Sequence, residues 1–210
     1  MTNLPLSVKQ VLQTAQREGV DFLTYLEAMG RRLETGYRGV SPALDRNQQE
    51  FARLNYQRMQ RNFKTYRPGR KVQQLVEQIK ENQLWLVLTE DWCGDSAHSL
   101  PVLARLAQLN PLVDLRILHR DRHPDIMDLY LTDGKRSIPK WVVLDSGGRE
   151  LFRWGPRPEP AAELFRQWRQ EGLEKHAISL ALQRWYNADK GKSLEREVVQ
   201  WLERQDQQAA

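Results

Sequence analysis

Apolar residues recur at mostly three- and four-residue steps through residues 6–33: Val8, Val11, Leu12 and Ala15 before Gly19, then Phe22, Leu23, Leu26, Met29 and Leu33. Such spacing lines one face of a helix, so two helices broken at Gly19 are predicted. A third amphipathic helix is predicted over 45–66, where Phe51, Leu54, Met59 and Phe63 stand among polar residues until "RPGR" interrupts the pattern. From residue 71, Val72, Leu75, Val76 and Ile79 form a further helical stripe, and the unbroken run "LWLVLT" at 84–89 predicts a strand covered on both faces. Leu100, Leu103, Leu106 and Ala107 continue as a helical face, and "VDLRILH" at 113–119 reads as the next strand. Strand, helix and strand in that order make a βαβ unit with a right-handed crossover, so at least part of the sheet is parallel. "PDIMDLYLT" predicts a short helix, "KWVVLD" and "ELFRWG" two strands about the turn "SGG", and "EPAAELFRQWRQ" a returning helix. Ile178, Ala181, Leu182 and Trp185, then Leu194, Val198, Trp201 and Leu202 beyond "NADKGK", predict two closing helices packed on the rest. The chain therefore divides into a helical extension over 1–69, an α/β domain over 70–173 and a helical tail over 174–210.

With 210 residues, 40% hydrophobic and 28% charged, the chain is globular in composition and long enough to bury one principal core. The opening "MTNLPLSVKQVLQTAQREGVDF" lacks the long apolar core of a secretory signal, and no later segment approaches bilayer length. No membrane association is expected, and the expected location is cytoplasmic. The single cysteine cannot form an internal disulfide, which fits a reducing compartment. A formal charge of +5, with "HRDRHP" at 119–124 and "GKR" at 134–136, permits an acidic partner. The acids are interspersed, however, and no nucleic-acid fold signature is present, so no specific nucleic-acid partner is expected.

The lone cysteine lies in "TEDWCGDSAHSLP" (89–101), between a predicted buried strand and a predicted helix. A thiolate at a helix N-terminus faces unpaired backbone N–H groups and the positive end of the macrodipole, which can bring a cysteine below its free pKa of about 8.5. With Pro101 eight residues beyond Cys93 and "RSIPKWVVLDSGGRELFRWG" at 136–155, the arrangement resembles the thioredoxin superfamily over about residues 70–172. The "EDWCGDS" form and the added helices resemble a bacterial thioredoxin-like branch with a single active-turn cysteine. The resemblance implies an α/β/α sandwich carrying extra N-terminal and C-terminal helices. It also implies that Cys93, Ser96 and Pro139 are the catalytic positions, with Trp92, Gly94, Asp95 and Ile138 around them as contact residues. A cis Ile138–Pro139 bond would present a fixed backbone edge to an extended peptide or a small thiol. Trp92 would shape an apolar rim beside the sulfur, or simply cover core.

The departures from that family pattern bear on activity. Ser96 stands where two-cysteine members carry the resolving cysteine, so a mixed disulfide cannot be released from within the turn. Ser96 can instead hydrogen-bond the thiolate or serve as a first-turn helix residue. The buried acid of thioredoxins is replaced by Val87, and the charges of Glu90, Asp91 and Asp95 are expected to oppose ionisation of the sulfur. Asp95 also sits where helix stability alone would put an acid.

Other residues carry less. His98 is expected to pack or to face solvent, with a local charge as the sharper possibility. His119 and His123 flank "RDR" without metal-ligand spacing, so no metal site is expected. "DKGKS" lacks the first glycine of a phosphate loop, and no cofactor is expected. Trp85, Trp141, Trp168, Trp185 and Trp201 fall on core-facing patterns. Two functions remain. In the first, Cys93 forms a mixed disulfide with a client protein or low-molecular-weight thiol, which an external thiol resolves. In the second, a non-catalytic protein holds a partner in the groove of Trp92, Ile138 and Pro139.

Overall fold

The computed structural model describes residues 6–39 and 42–209. Residues 1–5, at the start of the segment read above as lacking a leader, lie outside the described residues, as do 40, 41 and 210. Helix α1 (Val8–Glu18) starts from a capping box of Ser7 and Gln10, and α2 (Phe22–Glu34) from Asp21, whose carboxylate accepts the amides of Leu23 and Thr24. Helix α3 (Arg46–Thr65) opens on a second capping box, Asp45 with Gln48, and α4 (Arg70–Glu77) follows. The chain then alternates: β1 (Gln83–Thr89), α5 (Gly94–Ala107), β2 (Val113–His119), a 3₁₀ turn at 120–122, α6 (Pro124–Asp128), β3 (Lys140–Asp145), β4 (Glu150–Trp154) and α7 (Glu159–Gln170). Helices α8 (Lys175–Asp189) and α9 (Lys192–Ala209) complete it. Among the described residues no helix is long and apolar enough to cross a membrane.

The four strands form one sheet in the order β2-β1-β3-β4, with β1 and β2 parallel and β3 antiparallel to both β1 and β4. Val20, in the link between α1 and α2, exchanges two backbone hydrogen bonds with Ile117 and so covers part of the outer edge of β2. Because side chains alternate along a strand, Trp85 and Val87 enter one layer while Leu84, Leu86 and Leu88 enter the other. The first layer is filled by α2, α3, α4, α5 and α9; the second by Val11 and Ala15 of α1 with Ile126 and Met127 of α6. This is an α/β/α sandwich with added helices. Aromatic rings tie α9 to the sheet: Trp201 meets Trp85 at 6.1 Å and Trp141 at 5.6 Å edge-on, and stacks on Phe152 at 4.7 Å. Helices α7 and α8 make a smaller cluster of Ala161, Ile178 and Leu182, against which Trp168 and Trp185 are only partly buried.

The expected face of α3 is rotated. Ala52, Asn55 and Met59 are buried, whereas Phe51 and Leu54 are 41% and 47% exposed. The reason is a polar contact: Asn55 Nδ2 donates to the Asp91 carbonyl at 3.1 Å, which turns that side of α3 toward the end of β1. Leu23 and Val8, also assigned to core stripes, are exposed as well. Substituting Met59→Ala is therefore expected to cost about 2–5 kcal/mol in urea unfolding, while Phe51→Ala and Leu54→Ala stay within about 0.5 kcal/mol.

Candidate active turn

The turn at residues 90–92 carries the chain from β1 into α5, and Cys93 is the N-cap residue of that helix. Its amide donates to the Glu90 carbonyl at 3.0 Å, its own carbonyl accepts from Ala97 N at 3.2 Å, and Gly94 opens the first turn. The Ile138–Pro139 bond immediately before β3 is cis, and the Cys93 thiol donates to the Ile138 carbonyl at 3.3 Å. Gly155, at the exit of β4, has φ +111°, and a Cβ there would lie 2.1 Å from the Pro139 carbonyl oxygen. Only glycine lets the strand exit close over the proline loop.

Cys93 is 5% exposed. Burial, and then the charge of Asp95, push its thiol up to about 11; the Ser96 hydroxyl and the amides of Ser96 and Asp95 pull the other way without prevailing. The opposed influences expected of the helix terminus and the acids resolve toward the protonated form: the sulfur is covered, and the thiol stays protonated at neutral pH. Ser96 is fully buried, and its hydroxyl also shares a hydrogen bond with that of Thr89 at 2.5 Å.

The acids of the turn are all engaged. Asp91 is 2% exposed and receives the Arg32 guanidinium at 2.8 and 3.0 Å, Tyr25 Oη at 2.7 Å and Tyr37 Oη at 2.8 Å. Burial opposes its charge, but the Arg32 fork, with the field of His119 and the Tyr25 phenol, holds the carboxyl below the usual carboxylate range. Asp95 accepts from Arg157 Nη2 at 2.6 Å and Tyr186 Oη at 2.7 Å, which tie it to the β4–α7 loop and to α8. Glu90 accepts the Asp121 amide at 2.8 Å and faces His119 Nδ1 at 3.2 Å. Of the three acids, only Asp95 raises the thiol's pKa appreciably.

The remaining predicted positions fall as follows. Trp92 is half-buried with Arg120 over its ring at 5.1 Å, and Ile138 and Pro139 are buried, so the expected groove beside the proline loop is not an open face. His98 is buried, stacked on Tyr186 at 4.5 Å, and accepts from Asn62 Nδ2 at 3.2 Å. Burial lowers its pKa to about 4, so it packs as a neutral ring and the local-charge possibility fails. His119 and His123 lie against Glu90 and Glu18, and among the described residues no group of three or more His, Cys, Asp or Glu could hold a metal ion.

Sequence reasoning passed over Tyr25, Arg32, Tyr37, Asn55, Arg157 and Tyr186. Tyr25 and Arg32 had a signal, since both share the α2 stripe with Met29, where a cation demands a buried partner. It also missed Lys140, 3% exposed beside Pro139, whose ammonium donates to Thr132 Oγ1 and the Gly155 carbonyl. Burial lowers that lysine's pKa to about 8.

A mixed four-stranded sheet with a cysteine turn at the end of its central parallel strand and a cis-proline loop beside it defines an α/β protein of thioredoxin-like architecture. A family model described as Thioredoxin matches residues 43–169, more than half of the chain, and the chain belongs to that family. The match includes α3, which sequence reading assigned to the extension. Among solved structures, a protein of unknown function from Pseudomonas aeruginosa is 20% identical, with 89% of this chain and 93% of that chain covered and a TM-score of 0.57. An HIV epitope-scaffold is 19% identical, with 91% and 96% covered and a TM-score of 0.58. At these identities the likeness is one of fold. No curated protein matches the chain.

Removing the central carboxylate tests the turn's structural role. Asp91→Ala leaves the partly buried Arg32 and the buried Tyr25 and Tyr37 hydroxyls without their shared partner and is expected to lower stability by about 3 kcal/mol, against about 0–1 kcal/mol for the exposed Asp114→Ala. His98 gives a pH signature. Its folded pKa of about 4 lies below the ordinary 6.5, so between those values the unfolded chain holds a proton that the folded chain lacks. Acidification through that window should cost stability on the order of 3 kcal/mol, and His98→Asn should flatten that part of a denaturation profile measured against pH.

Proposed function

We propose that this chain is a single-cysteine thioredoxin-fold binding protein, cytoplasmic in location, that holds its partner non-covalently and uses the former active turn as a structural joint. The carrying observation is the covered thiol: Cys93 is 5% exposed, protonated at neutral pH and hydrogen-bonded to Ile138 O. A nucleophile needs the opposite environment, open and electropositive. The commitment of Asp91 to α2 and of Asp95 to α8 supports the same reading, because both carboxylates serve the added helices. A lone cysteine that needs no disulfide partner supports a reducing compartment.

The monothiol reading retains one favourable observation, the Ser96 hydroxyl and two amides directed at the sulfur. In it, the Cys93 thiolate attacks one sulfur of an oxidised small thiol, the S–S bond breaks, the second sulfur leaves as thiolate, and another external thiol later reduces the mixed disulfide. That route requires the buried thiol to become accessible and to give up its hydrogen bond to the Ile138 carbonyl.

Alkylation of Cys93 by iodoacetamide, followed by mass spectrometry across pH, separates the two. Slow labelling at neutral pH with a midpoint above about 9, and no adduct with oxidised glutathione, are expected. Cys93→Ser should keep the fold and retain any partner that the parent chain retains. A midpoint below about 8 with a stoichiometric mixed disulfide would overturn the binding reading in favour of monothiol exchange.

A further inference from the structure

A second concavity is lined by neither Ile138 nor Pro139. A cleft of about 700 Å³ opens between the C-terminal turns of α3, the middle of α5, and the junction of α8 with α9. Its floor is buried and partly aromatic, made by Tyr66, His98, Val102 and Tyr186. Its rim carries four cations, Arg61, Arg67, Lys190 and Lys192, all exposed. None of the four has a carboxylate within ion-pair distance among the described residues. Arg61 donates to the neutral Asn187 amide oxygen at 3.2 Å, and Arg67 to the carbonyls of Lys64 and Tyr66.

Two acids belong to the same region, and both are turned to other work. Glu195 accepts Tyr66 Oη at 2.7 Å and Gly69 N at 3.2 Å, and Asp189 caps α9 by accepting Ser193 N at 3.1 Å. Helix stability accounts for cations at the C-terminal ends of α3 and α8, but not for Lys192, which opens an 18-residue helix where a positive charge is unfavourable. Arg61 also lies near a like charge: burial first, and then the field of Arg61, lower the pKa of Arg58. Four cations without a carboxylate partner, one of them placed against helix preference, stand above a concave polar and aromatic floor.

We propose that this cleft binds a small organic polyanion, a molecule bearing two or more phosphate or carboxylate charges. Its volume lies within the range of small-molecule sites, and guanidinium groups with lysines are the side chains that recognise such charges. Asn62, Asn187 and His98 add neutral polar contacts for an uncharged portion of the ligand. The inference does not depend on Cys93 or on how the active turn is used.

Isothermal titration of the full chain at low ionic strength with sodium tripolyphosphate, and separately with citrate, tests it. Saturable single-site binding of either probe below about 1 mM is expected, and which probe binds more tightly identifies phosphate or carboxylate as the preferred group. The double variant Arg61→Gln with Lys192→Gln should weaken that binding at least about tenfold. Arg53→Gln on the exposed face of α3 and Cys93→Ser should leave it unchanged, which keeps this outcome separate from that of the alkylation experiment. Absence of saturable binding of both probes up to about 10 mM, or binding that the double variant does not weaken while its melting temperature is retained, overturns the proposal. Tight binding of a single-stranded oligonucleotide that neither probe displaces overturns it as well.

Discussion

One buried negative charge governs how the added helices meet the family fold. A carboxylate removed from water loses several kcal/mol unless a counter-charge and hydrogen bonds replace its hydration. Asp91 is in that position at the end of β1, and the replacement comes from Arg32, Tyr25 and Tyr37, all N-terminal to α3. Helix α2 and the chain after it are thereby held over the turn, and Asn55 brings α3 to the carbonyl of the same residue. The N-terminal helices are part of the polar core of the turn as well as of its apolar core.

Asp95, two residues after the cysteine, repeats the arrangement with Arg157 and Tyr186. The two arms explain why the thiol behaves as it does. In a reactive cysteine the helix terminus and nearby cations act together on the sulfur. Here Arg32 and Arg157 are each neutralised by an aspartate, so Cys93 is left with burial, the residual field of Asp95 and the helix amides, and burial dominates. Protein class and resting chemistry are therefore separable in this molecule: the scaffold is that of the thioredoxin family, and burial holds the thiol protonated.

Much of the architecture was legible because it rests on local patterns. "LWLVLT" is apolar at every position except its last because β1 is covered on both sheet faces, and the α5 and α9 stripes match the residues those helices bury. The face of α3 departs from its hydrophobic pattern because its buried side carries Asn55 for a specific acceptor. The turn itself was legible as a motif and not as an environment. Arg157 and Tyr186 are 62 and 91 positions from Asp95, and no local pattern announces a pairing across such separations. Cys93 is buried in a cluster that includes Leu118, Ile126, Met127, Tyr130 and Ile138, all distant in sequence, so its chemistry could not be read from the motif alone.

The ring contacts of Trp201 have a consequence for biosynthesis. Trp85 and Trp141 gain their outer covering from a helix that follows the whole sheet in the chain, beyond the span that matches the family model. During translation, the emerging sheet layer stays open to solvent, and to any chaperone that binds aromatic surface, until α9 has left the ribosome. Vectorial folding of the family domain by itself stops one helix short of a closed interior.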